Sequence, residues 1–514
     1  MIAKLILDKK REGHALGSAE IREFIEGFTK GEIPDYQMSA LAMAICCRGM
    51  TERETADLTD AMMKSGRCLT WDVPTADKHS TGGVGDKLSL VIQPLAAACG
   101  ISVPSLTGRG LGLTGGTADK LETIPGYSCA QTIERFQEIA TTVGVSLSVQ
   151  TDDITPADKK LYALRDVTGT VASIPLIVAS ILSKKLAEGA HTLVFDVKCG
   201  KGAFMKTRED AVALANALVA GAKTAGRKAA ALVTDMDAPL GFAVGNANEV
   251  REAVEMLHAE TQRRRELADV VELCVELAAL MVSQEKEIGL DEARAMCREK
   301  LEKGLALEKF EEMVTAHGGD LESFERFCKK PTFKFKIQAM RSGYVTAIDA
   351  EKVARAAFML GAGHTTAGDR IDPLAGVTLA VKVGDKVAVG APLATLEKST
   401  EPDGLDHAAA ELYKAFQISA TPPEPKSLVI ERIMSSGVER RRGWRWLATR
   451  NKNARSCIGR YGVSPMTCAG AWTDGISSSM CWACCSIGTS PRTLRRTSTR
   501  ASGKRATRAL TMRR

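Results

Sequence analysis

Apolar positions at the start of the chain repeat with the period of an α-helix. Ile21, Phe24 and Phe28 fall on one helical face, and the following segment repeats the pattern. A third helix is predicted from residues 51–54, whose sequence matches a capping box. The first 65 residues therefore predict a small amphipathic helical bundle.

From about residue 70 the pattern changes to short β-branched runs separated by amphipathic helices. Strands are predicted at residues 144–150, 192–197 and 229–234, and a helix at 208–223. Such alternation is typical of an α/β domain.

The last third of the chain is first helical and then rich in strands. A helical pattern runs from about 246 to 328, and residues 333–337 and 343–348 begin a β-rich portion. Residues 381–396 predict a hairpin of the barrel-sandwich type. The expected fold class is thus α/β, with a helical start and a β-rich end.

Composition narrows the class of protein. Of the 514 residues, 45% are hydrophobic, and no apolar run approaches the roughly 20 residues of a membrane span. The cysteines before residue 433 are scattered among apolar neighbours, and no signal-like apolar segment follows Met1. We therefore expect reduced thiols, a cytoplasmic location and no membrane partner.

Residues 433–514 differ sharply from the rest. This tail carries 17 basic and 2 acidic residues, whereas the remainder carries 52 and 60, so the net charge of +7 belongs to the tail. It also holds four of the five tryptophans and five of the fourteen cysteines. The short spacing of residues 481–485 suggests zinc, but a structural zinc site needs a second ligand pair at a suitable distance, and no histidine follows His407. A nucleic-acid-binding tail is one interpretation; our hypothesis is a disordered, out-of-frame or read-through extension, with no nucleic-acid partner.

Two glycine-rich loops carry the candidate chemistry. They span residues 77–87 and 107–122, and a predicted helix (88–99) and strand (101–106) lie between them. Clustered backbone N–H groups, hydroxyls, a lysine and an arginine suit an oxyanion such as phosphate. Ordinary tight turns are the simpler alternative for either loop alone.

Two known nucleotide motifs fit these loops poorly. Residues 110–115 match a dinucleotide fingerprint, but that motif should begin a long helix, and residues 124–126 break the chain soon afterwards. A Walker loop needs Gly-Lys-Ser/Thr, whereas Asp86 precedes Lys87.

Taken together, the loops resemble the phosphate loop and signature of thymidine and pyrimidine-nucleoside phosphorylases. The resemblance covers roughly residues 1–432. It continues through residues 155–166, 173–175, 180–185, 196–198, 202–205 and 239–241.

The resemblance implies three domains. A small α domain (1–68 plus 160–190) would supply the base-binding wall and the contact of a homodimer. A large α/β domain (69–159 plus 191–330) would hold phosphate, and a barrel-sandwich-like α+β domain (331–432) would follow. The reactants would then meet when the first two domains close, with hinges near 66–70, 155–160 and 190.

The reaction implied is reversible phosphorolysis of thymidine to thymine and 2-deoxyribose 1-phosphate, with inorganic phosphate as co-substrate and no organic cofactor. It needs no covalent nucleophile, because positioning and donors aimed at developing negative charge provide most of the rate. The phosphate ligands would be Lys78, Ser80, Ser89, Thr107 and Thr117.

The resemblance also assigns the pyrimidine side. Tyr162, Arg165, Ser180 and Lys184 would bind the base, and Arg165 and Lys184 would act in catalysis. His79 would be the catalytic acid, since imidazole titrates near ~6.5. A structural histidine and a solvated lysine face are the alternatives for His79 and Lys184.

Two further features concern selectivity and a cation. Leu113 stands where the resembling family commonly has histidine, which bears on sugar or base preference. Some relatives hold a monovalent cation such as potassium, mostly through backbone carbonyls. The matching positions are Gly85, Lys87, Leu240, Ala243 and Glu252.

Three other functions compete with a thymidine-specific enzyme. A broader enzyme would also cleave uridine and deoxyuridine. Phosphoribosyl transfer is possible on this architecture, but the acidic magnesium motif it would require is not found in the sequence. A non-catalytic sugar-phosphate or nucleotide-binding protein would bind phosphate without turnover.

Overall fold

The computed structural model describes residues 3–110, 113–259, 266–363, 371–401, 404–434 and 437–438. Residues 111–112 of the second glycine-rich loop lie outside this described part. So does the predicted tail, apart from its first residues.

The chain order of elements agrees with the three-part pattern. The N-terminal part contains α1 (Ala3–Arg11), α2 (Ser18–Lys30), α3 (Asp35–Arg48) and α4 (Glu52–Met63). The central part contains β1 (Ala76–Ser80), α5 (Ser89–Ala98), β2 (Val103–Thr107), α6 (Thr117–Leu121), α7 (Ile133–Thr142), β3 (Val145–Val149), α8 (Pro156–Thr168), α9 (Ile174–Glu188), β4 (Thr192–Cys199), α10 (Arg208–Thr224), β5 (Lys228–Asp235), β6 (Ala243–Gly245), α11 (Ala247–Leu257), α12 (Ala268–Lys286), α13 (Leu290–Glu302), α14 (Leu305–Ala316) and α15 (Leu321–Cys328). The C-terminal part contains β7 (Phe333–Gln338), β8 (Gly343–Ile348), α16 (Ala350–Ala357), a π-helical turn (Phe358–Ala362), β9 (Gly376–Leu379), β10 (Lys386–Val387), β11 (Pro392–Lys398), α17 (Leu405–Tyr413), β12 (Phe416–Ser419), β13 (Val429–Met434) and β14 (Gly437–Val438).

The helical unit is built by α1–α4 together with α8 and the first half of α9. Ala157 and Leu161 of α8 and Leu176 of α9 share one apolar core with the first four helices. The predicted capping box is confirmed, because Thr51 accepts a hydrogen bond from the backbone of Glu54. Helix α8 begins at residue 156, four residues before the predicted start of the inserted segment.

The central sheet has the order β1-β4-β5-β13-β14. β1, β4 and β5 are parallel, as strand–helix alternation requires, and β13 adds to the edge in the antiparallel sense. A second parallel pair joins β2 to β3. The loops after β1 and β2 therefore leave the carboxyl ends of parallel strands, where ligands bind in open α/β sheets.

The C-terminal part confirms the expected α+β portion. β6-β9-β11-β7 form one sheet and β10-β8-β12 form another. The predicted hairpin at 381–396 is wrong, because β10 pairs with β8 whereas β11 pairs with β7 and β9, so the two strands lie in different sheets.

The last two strands, β13 and β14, extend the fold past the predicted end of this domain at residue 432. Ile433 is buried at 2% exposure and pairs with Ala231 of β5, and Arg432 contacts Glu276. Four residues assigned by sequence to the tail are thus part of the central sheet: Ile433 and Met434 of β13, and Gly437 and Val438 of β14.

The segments in which the chain passes between the helical unit and the central sheet are close enough to form backbone hydrogen bonds. The amide of Arg67 donates to the carbonyl of Asp153 at 2.6 Å, and the amide of Leu69 donates to the carbonyl of Ala187 at 2.7 Å. The first predicted hinge region is therefore hydrogen-bonded to the residues that shortly precede each of the other two.

Two general properties complete the fold. All nine cysteines in the described residues are free thiols. Nowhere in the described ranges does a helix reach both the length and the apolar character needed to cross a membrane.

Candidate active site

A cavity of about 910 Å³ is lined by the loops that follow β1 and β2 and by helices α8 and α9. It brings together every residue predicted to bind phosphate or the base: Lys78, His79, Ser80, Ser89, Thr107, Thr117, Tyr162, Arg165, Ser180 and Lys184. Among the described lining residues, nine are Lys or Arg and three are Asp or Glu. This excess of positive charge favours an anionic ligand.

Lys78 lies at the base of the predicted phosphate site. Its Nζ is 3.4 Å from the Ser89 hydroxyl and 3.4 Å from a carboxylate oxygen of Asp196 on the neighbouring strand. Burial favours the neutral amine, but the carboxylates of Asp86 and Asp196 outweigh it and raise the pKa of Lys78. The ammonium is therefore charged at neutral pH.

Ser80 is engaged with a carboxylate that the sequence did not single out. Its hydroxyl donates to Asp86 at 2.5 Å and accepts from the Gly82 amide at 3.1 Å. Burial opposes ionisation of Asp86, but Lys198 and Lys78 hold the pKa of Asp86 well below its usual range. The Ser80 hydroxyl must rotate away from Asp86 before it donates to a phosphate oxygen.

The second glycine-rich loop is organised by Asp119. One of its carboxylate oxygens accepts from the amides of Gly110 at 2.6 Å and Gly116 at 2.8 Å. Arg109 forms a bidentate pair with Glu122, with distances of 2.6 and 3.0 Å. These contacts fix the loop that carries Thr107 and Thr117. Arg109 is paired with a carboxylate of the same loop, so its main role here is to stabilise the loop.

Lys184 lies among the predicted base-binding residues. Its Nζ donates to Asp158 at 2.6 Å and to the Ser180 hydroxyl at 3.2 Å, and it lies 5.2 Å from the centre of the Tyr162 ring. The contact with Ser180 confirms that residues four apart share a face of α9. The aromatic ring and the carboxylate together hold the ammonium toward the cavity.

Arg165 is more constrained than the sequence indicated. Its guanidinium donates to the backbone carbonyls of Thr170 (3.3 Å), Leu176 (3.0 Å) and Val171 (2.7 Å). It therefore holds the turn between α8 and α9 in place. A guanidinium has five N–H groups, so two remain beyond these three bonds for a base carbonyl.

His79 occupies β1 between the two groups of predicted ligands and is partly exposed to the cavity. Desolvation and the ammonium groups of Lys185, Lys184 and Lys78 lower the pKa of His79 well below its ordinary value. The imidazole is therefore neutral at pH 7. A neutral ring can donate one N–H hydrogen bond, so this environment favours polarisation of a leaving base over proton delivery by an imidazolium.

Lys185 joins the segments that carry the site. Its buried Nζ contacts Asp77 at 2.6 Å, Glu188 at 2.9 Å and the Leu106 carbonyl at 2.8 Å. Asp77 is the first residue of the first loop segment (77–87), Leu106 immediately precedes the second, and Lys185 follows Lys184 on α9. One side chain therefore ties both loops to the helix that carries Ser180 and Lys184, two of the predicted base-binding residues.

The predicted cation positions form a separate buried cluster that does not line the cavity. Lys87 Nζ donates to the carbonyls of Leu240 and Ala243, each at 2.9 Å, and to Glu252 at 2.5 Å. Gly85 lies beside them with a φ of +70°, and a Cβ there would approach the Leu240 oxygen to 2.6 Å. The oxygens proposed to hold a metal ion thus surround an ammonium group.

Comparison with known proteins accounts for all three parts of the chain. Family models match the glycosyl transferase family helical bundle domain at residues 4–66, the a/b domain of that family at 72–307, and the pyrimidine nucleoside phosphorylase C-terminal domain at 344–419. The pyrimidine-nucleoside phosphorylase of Geobacillus stearothermophilus is 47% identical over 434 residues, covering 83% of this chain and 99% of that protein. The chain belongs to the pyrimidine-nucleoside phosphorylase family.

Other relatives agree with this assignment. The pyrimidine-nucleoside phosphorylase of Bacillus subtilis (strain 168) is 46% identical over 427 residues, covering 82% of this chain and 97% of that protein. Anthranilate phosphoribosyltransferase from Thermus thermophilus superposes with a TM-score of 0.50 at 21% identity, over 62% of this chain and 99% of that one. That likeness concerns the fold alone.

Within this phosphorylase family member, sequence reasoning missed Asp86, Asp119, Asp158 and Lys185. Only Asp158 gave a usable signal. It lies four residues before Tyr162 and seven before Arg165, so the three side chains share one face of α8.

Proposed function

We propose that this protein catalyses the reversible phosphorolysis of pyrimidine nucleosides, with uridine, deoxyuridine and thymidine all as substrates. The supporting observation is the single cavity that unites Lys78 and Ser89 with Tyr162, Ser180 and Lys184. Side chains suited to binding phosphate and side chains suited to binding a heterocycle therefore line one cavity.

On the phosphate side, the charged Lys78 and the hydroxyls of Ser89, Thr107 and Thr117 would hold the nucleophile. A phosphate oxygen then forms a bond to C1′ of the sugar as the bond from C1′ to the base nitrogen breaks. The products are a sugar 1-phosphate and the free base. Because the two reactants are held together, the chain needs no covalent nucleophile of its own.

On the base side, the bonding electrons move onto the pyrimidine ring as the glycosidic bond breaks. Lys184 and Arg165 would stabilise this negative charge by donating to the ring carbonyls. Neutral His79 would donate an N–H hydrogen bond to the same departing base. Solvent or bound phosphate then supplies the proton that completes the free base.

A thymidine-specific enzyme is the narrower alternative. The names of the most similar relatives favour the broad activity. Leu113 lines the cavity and has an apolar side chain, so it offers the substrate no hydrogen bond there.

The test of breadth is kcat/KM for uridine, deoxyuridine and thymidine at saturating phosphate. Values within about tenfold of one another, or about 1.4 kcal/mol, support the proposal. A preference for thymidine beyond that restores the narrow function. Leu113→His adds a donor and should change the ratio by about 2- to 10-fold, the value of one hydrogen bond.

We also propose a homodimer in the cytoplasm. The support is family membership, the free thiols and the acidic balance of residues 1–432. Light scattering on the purified protein tests the dimer, and a monomeric mass would contradict it.

A further inference from the structure

The Lys87 cluster joins three distant parts of the chain. Lys87 belongs to the loop between β1 and α5. Leu240 precedes β6, Ala243 is the first residue of that strand, and Glu252 lies on α11. The Lys87 side chain is fully buried and that of Glu252 is 2% exposed. The cluster therefore anchors the C-terminal end of the predicted phosphate loop (77–87) to β6 and α11.

The acceptors around Lys87 match the donors of an ammonium group. Its three N–H groups meet two backbone carbonyls and one carboxylate, which completes the donor capacity of a lysine. Glu252 also accepts from the amides of Phe242 and Ala243 at 2.9 and 3.1 Å. Burial alone would favour a neutral carboxyl, but Lys87 and these amides lower the pKa of Glu252, so the pair is ionic.

Converging carbonyl and carboxylate oxygens form the type of site that also binds a monovalent cation in place of its water shell. In this chain the point where the oxygens converge is taken by Lys87 Nζ. A bound ion would lie on the ammonium, so the residues present do not fit a potassium ion.

We propose that Lys87 is a built-in cation: its tethered ammonium replaces a free monovalent ion and makes folding and phosphate-loop geometry independent of potassium. Lys87 is a positioning residue, because it does not line the cavity. It acts through the loop that leads into α5, because the hydroxyl of Ser89, the first residue of that helix, contacts Lys78.

The first experiment uses the unaltered protein and needs no knowledge of its activity. The melting temperature is measured in about 100 mM potassium, ammonium, sodium or tetramethylammonium chloride. We expect the four values to agree within about 1 °C, since no site is left for an ion to stabilise. A specific rise in potassium over tetramethylammonium would overturn the proposal.

Lys87→Ala removes the ammonium but keeps the oxygens. We expect its melting temperature to fall in tetramethylammonium and to recover by about 2 °C or more in potassium or ammonium chloride. Lys10→Ala is the matched control, because Lys10 is also buried and paired with a carboxylate, Glu54 at 2.8 Å. Its loss should be the same in every salt. An equal fall in the melting temperature of Lys87→Ala in all salts would contradict the proposal. If that variant fails to fold, the melting temperatures of the unaltered protein in the four salts test the proposal alone.

The kinetic arm rests on the proposed function. The KM for phosphate of Lys87→Ala should fall at least about 5-fold when potassium replaces tetramethylammonium, as expected when a charged contact is restored. The unaltered enzyme should change less than about 2-fold. Absence of turnover in the unaltered protein would contradict the phosphorolysis proposal. The melting temperatures would still test the proposal for Lys87, because they do not depend on activity.

Discussion

Asp158 of α8 accepts a hydrogen bond from Lys184 of α9 at 2.6 Å, and this contact sets where the lysine lies in the cavity. Asp158 has 1% of its side chain exposed, whereas Lys184 has 18%. The carboxylate is thus the buried anchor and the ammonium is the group that faces a ligand.

Replacing Lys184 should therefore affect activity differently from replacing Asp158. Lys184→Met removes a donor to the departing base and should lower kcat by about 10²- to 10³-fold. Asp158→Asn keeps the ammonium but loosens it, and should lower kcat/KM by about 10- to 100-fold. Lys64→Met breaks an exposed ion pair with Asp60, and since neither residue lines the cavity this variant serves as the control. Equal activity of all three variants would contradict this assignment.

Lys78 should act on phosphate more than on the nucleoside. Lys78→Met removes the buried charge beside Ser89 and should raise the KM for phosphate by about 10- to 100-fold. Lys10→Met removes another buried lysine, in the helical unit, and should lower stability without changing that KM. Steady-state kinetics with phosphate varied measures both, and an unchanged KM for Lys78→Met would refute the role.

His79 gives a prediction for pH. Its pKa is lowered in the folded state, so below about pH 6.5 the unfolded chain binds a proton that the folded chain does not. His79 should therefore make the free energy of unfolding fall as pH drops below about 6.5, by at most about 1.4 kcal/mol per pH unit. Urea denaturation at pH about 7.5 and 5.5 should show a smaller loss for His79→Gln than for the unaltered protein. An equal or larger loss would show that His79 is not held neutral.

The same lowered pKa predicts how activity responds to pH. Since the imidazole is already neutral at pH 7, raising the pH to about 8 should not titrate it. A fall in kcat that His79→Gln abolishes, with a midpoint near pH 7, would instead indicate a protonated acid.

Gly189 lies where the chain crosses from the helical unit to the central sheet, and its substitution tests how rigid that crossover is. Its φ is +88°, and a Cβ there would lie 2.2 Å from the Leu69 carbonyl oxygen. Gly189→Ala should cost the ~1–2 kcal/mol of a left-handed alanine plus a further ~1–3 kcal/mol for the clash. Gly31 has a φ of +82° and open space around it, so Gly31→Ala should show the first cost alone. Equal losses in urea denaturation would mean that the crossovers move apart easily.

The C-terminal end provides a pair of truncations. A variant ending at Val438 keeps β13 and should retain stability and activity, as expected if residues 439–514 have no selected role. A variant ending at Arg432 loses Ile433, whose burial stabilises by about 1.5–3 kcal/mol. A lower melting temperature for this shorter variant would show that the end of β13 stabilises the fold, whereas residues 439–514 do not. Loss of activity in the variant ending at Val438 would refute the extension hypothesis.

Much of the fold was predictable because local patterns determined it. The helix at 88–99 and the strand at 101–106 are confirmed as α5 and β2, and the three quoted strands of the α/β part are confirmed within two residues. Glycine-rich loops at the ends of parallel strands also follow from local sequence. By contrast, β13 pairs with β5 almost 200 residues earlier, and no local pattern specifies that partner.

The candidate site shows the same division. Ser180 and Lys184 are four residues apart on one helix, so their proximity could be inferred from spacing. The pairing of Lys184 with Asp158 depends on how α8 packs against α9, and that of Lys87 with Glu252 spans 165 residues. The pKa of His79 depends on three lysines from β1 and α9. Such contacts arise from tertiary packing, which spacing along the chain does not encode.

Release of free base from uridine and from thymidine, each with and without inorganic phosphate, tests the central claim most directly. We expect release from both nucleosides only when phosphate is present, with one sugar 1-phosphate formed for each base. Release without phosphate would indicate hydrolysis, and no release from either nucleoside would contradict phosphorolysis.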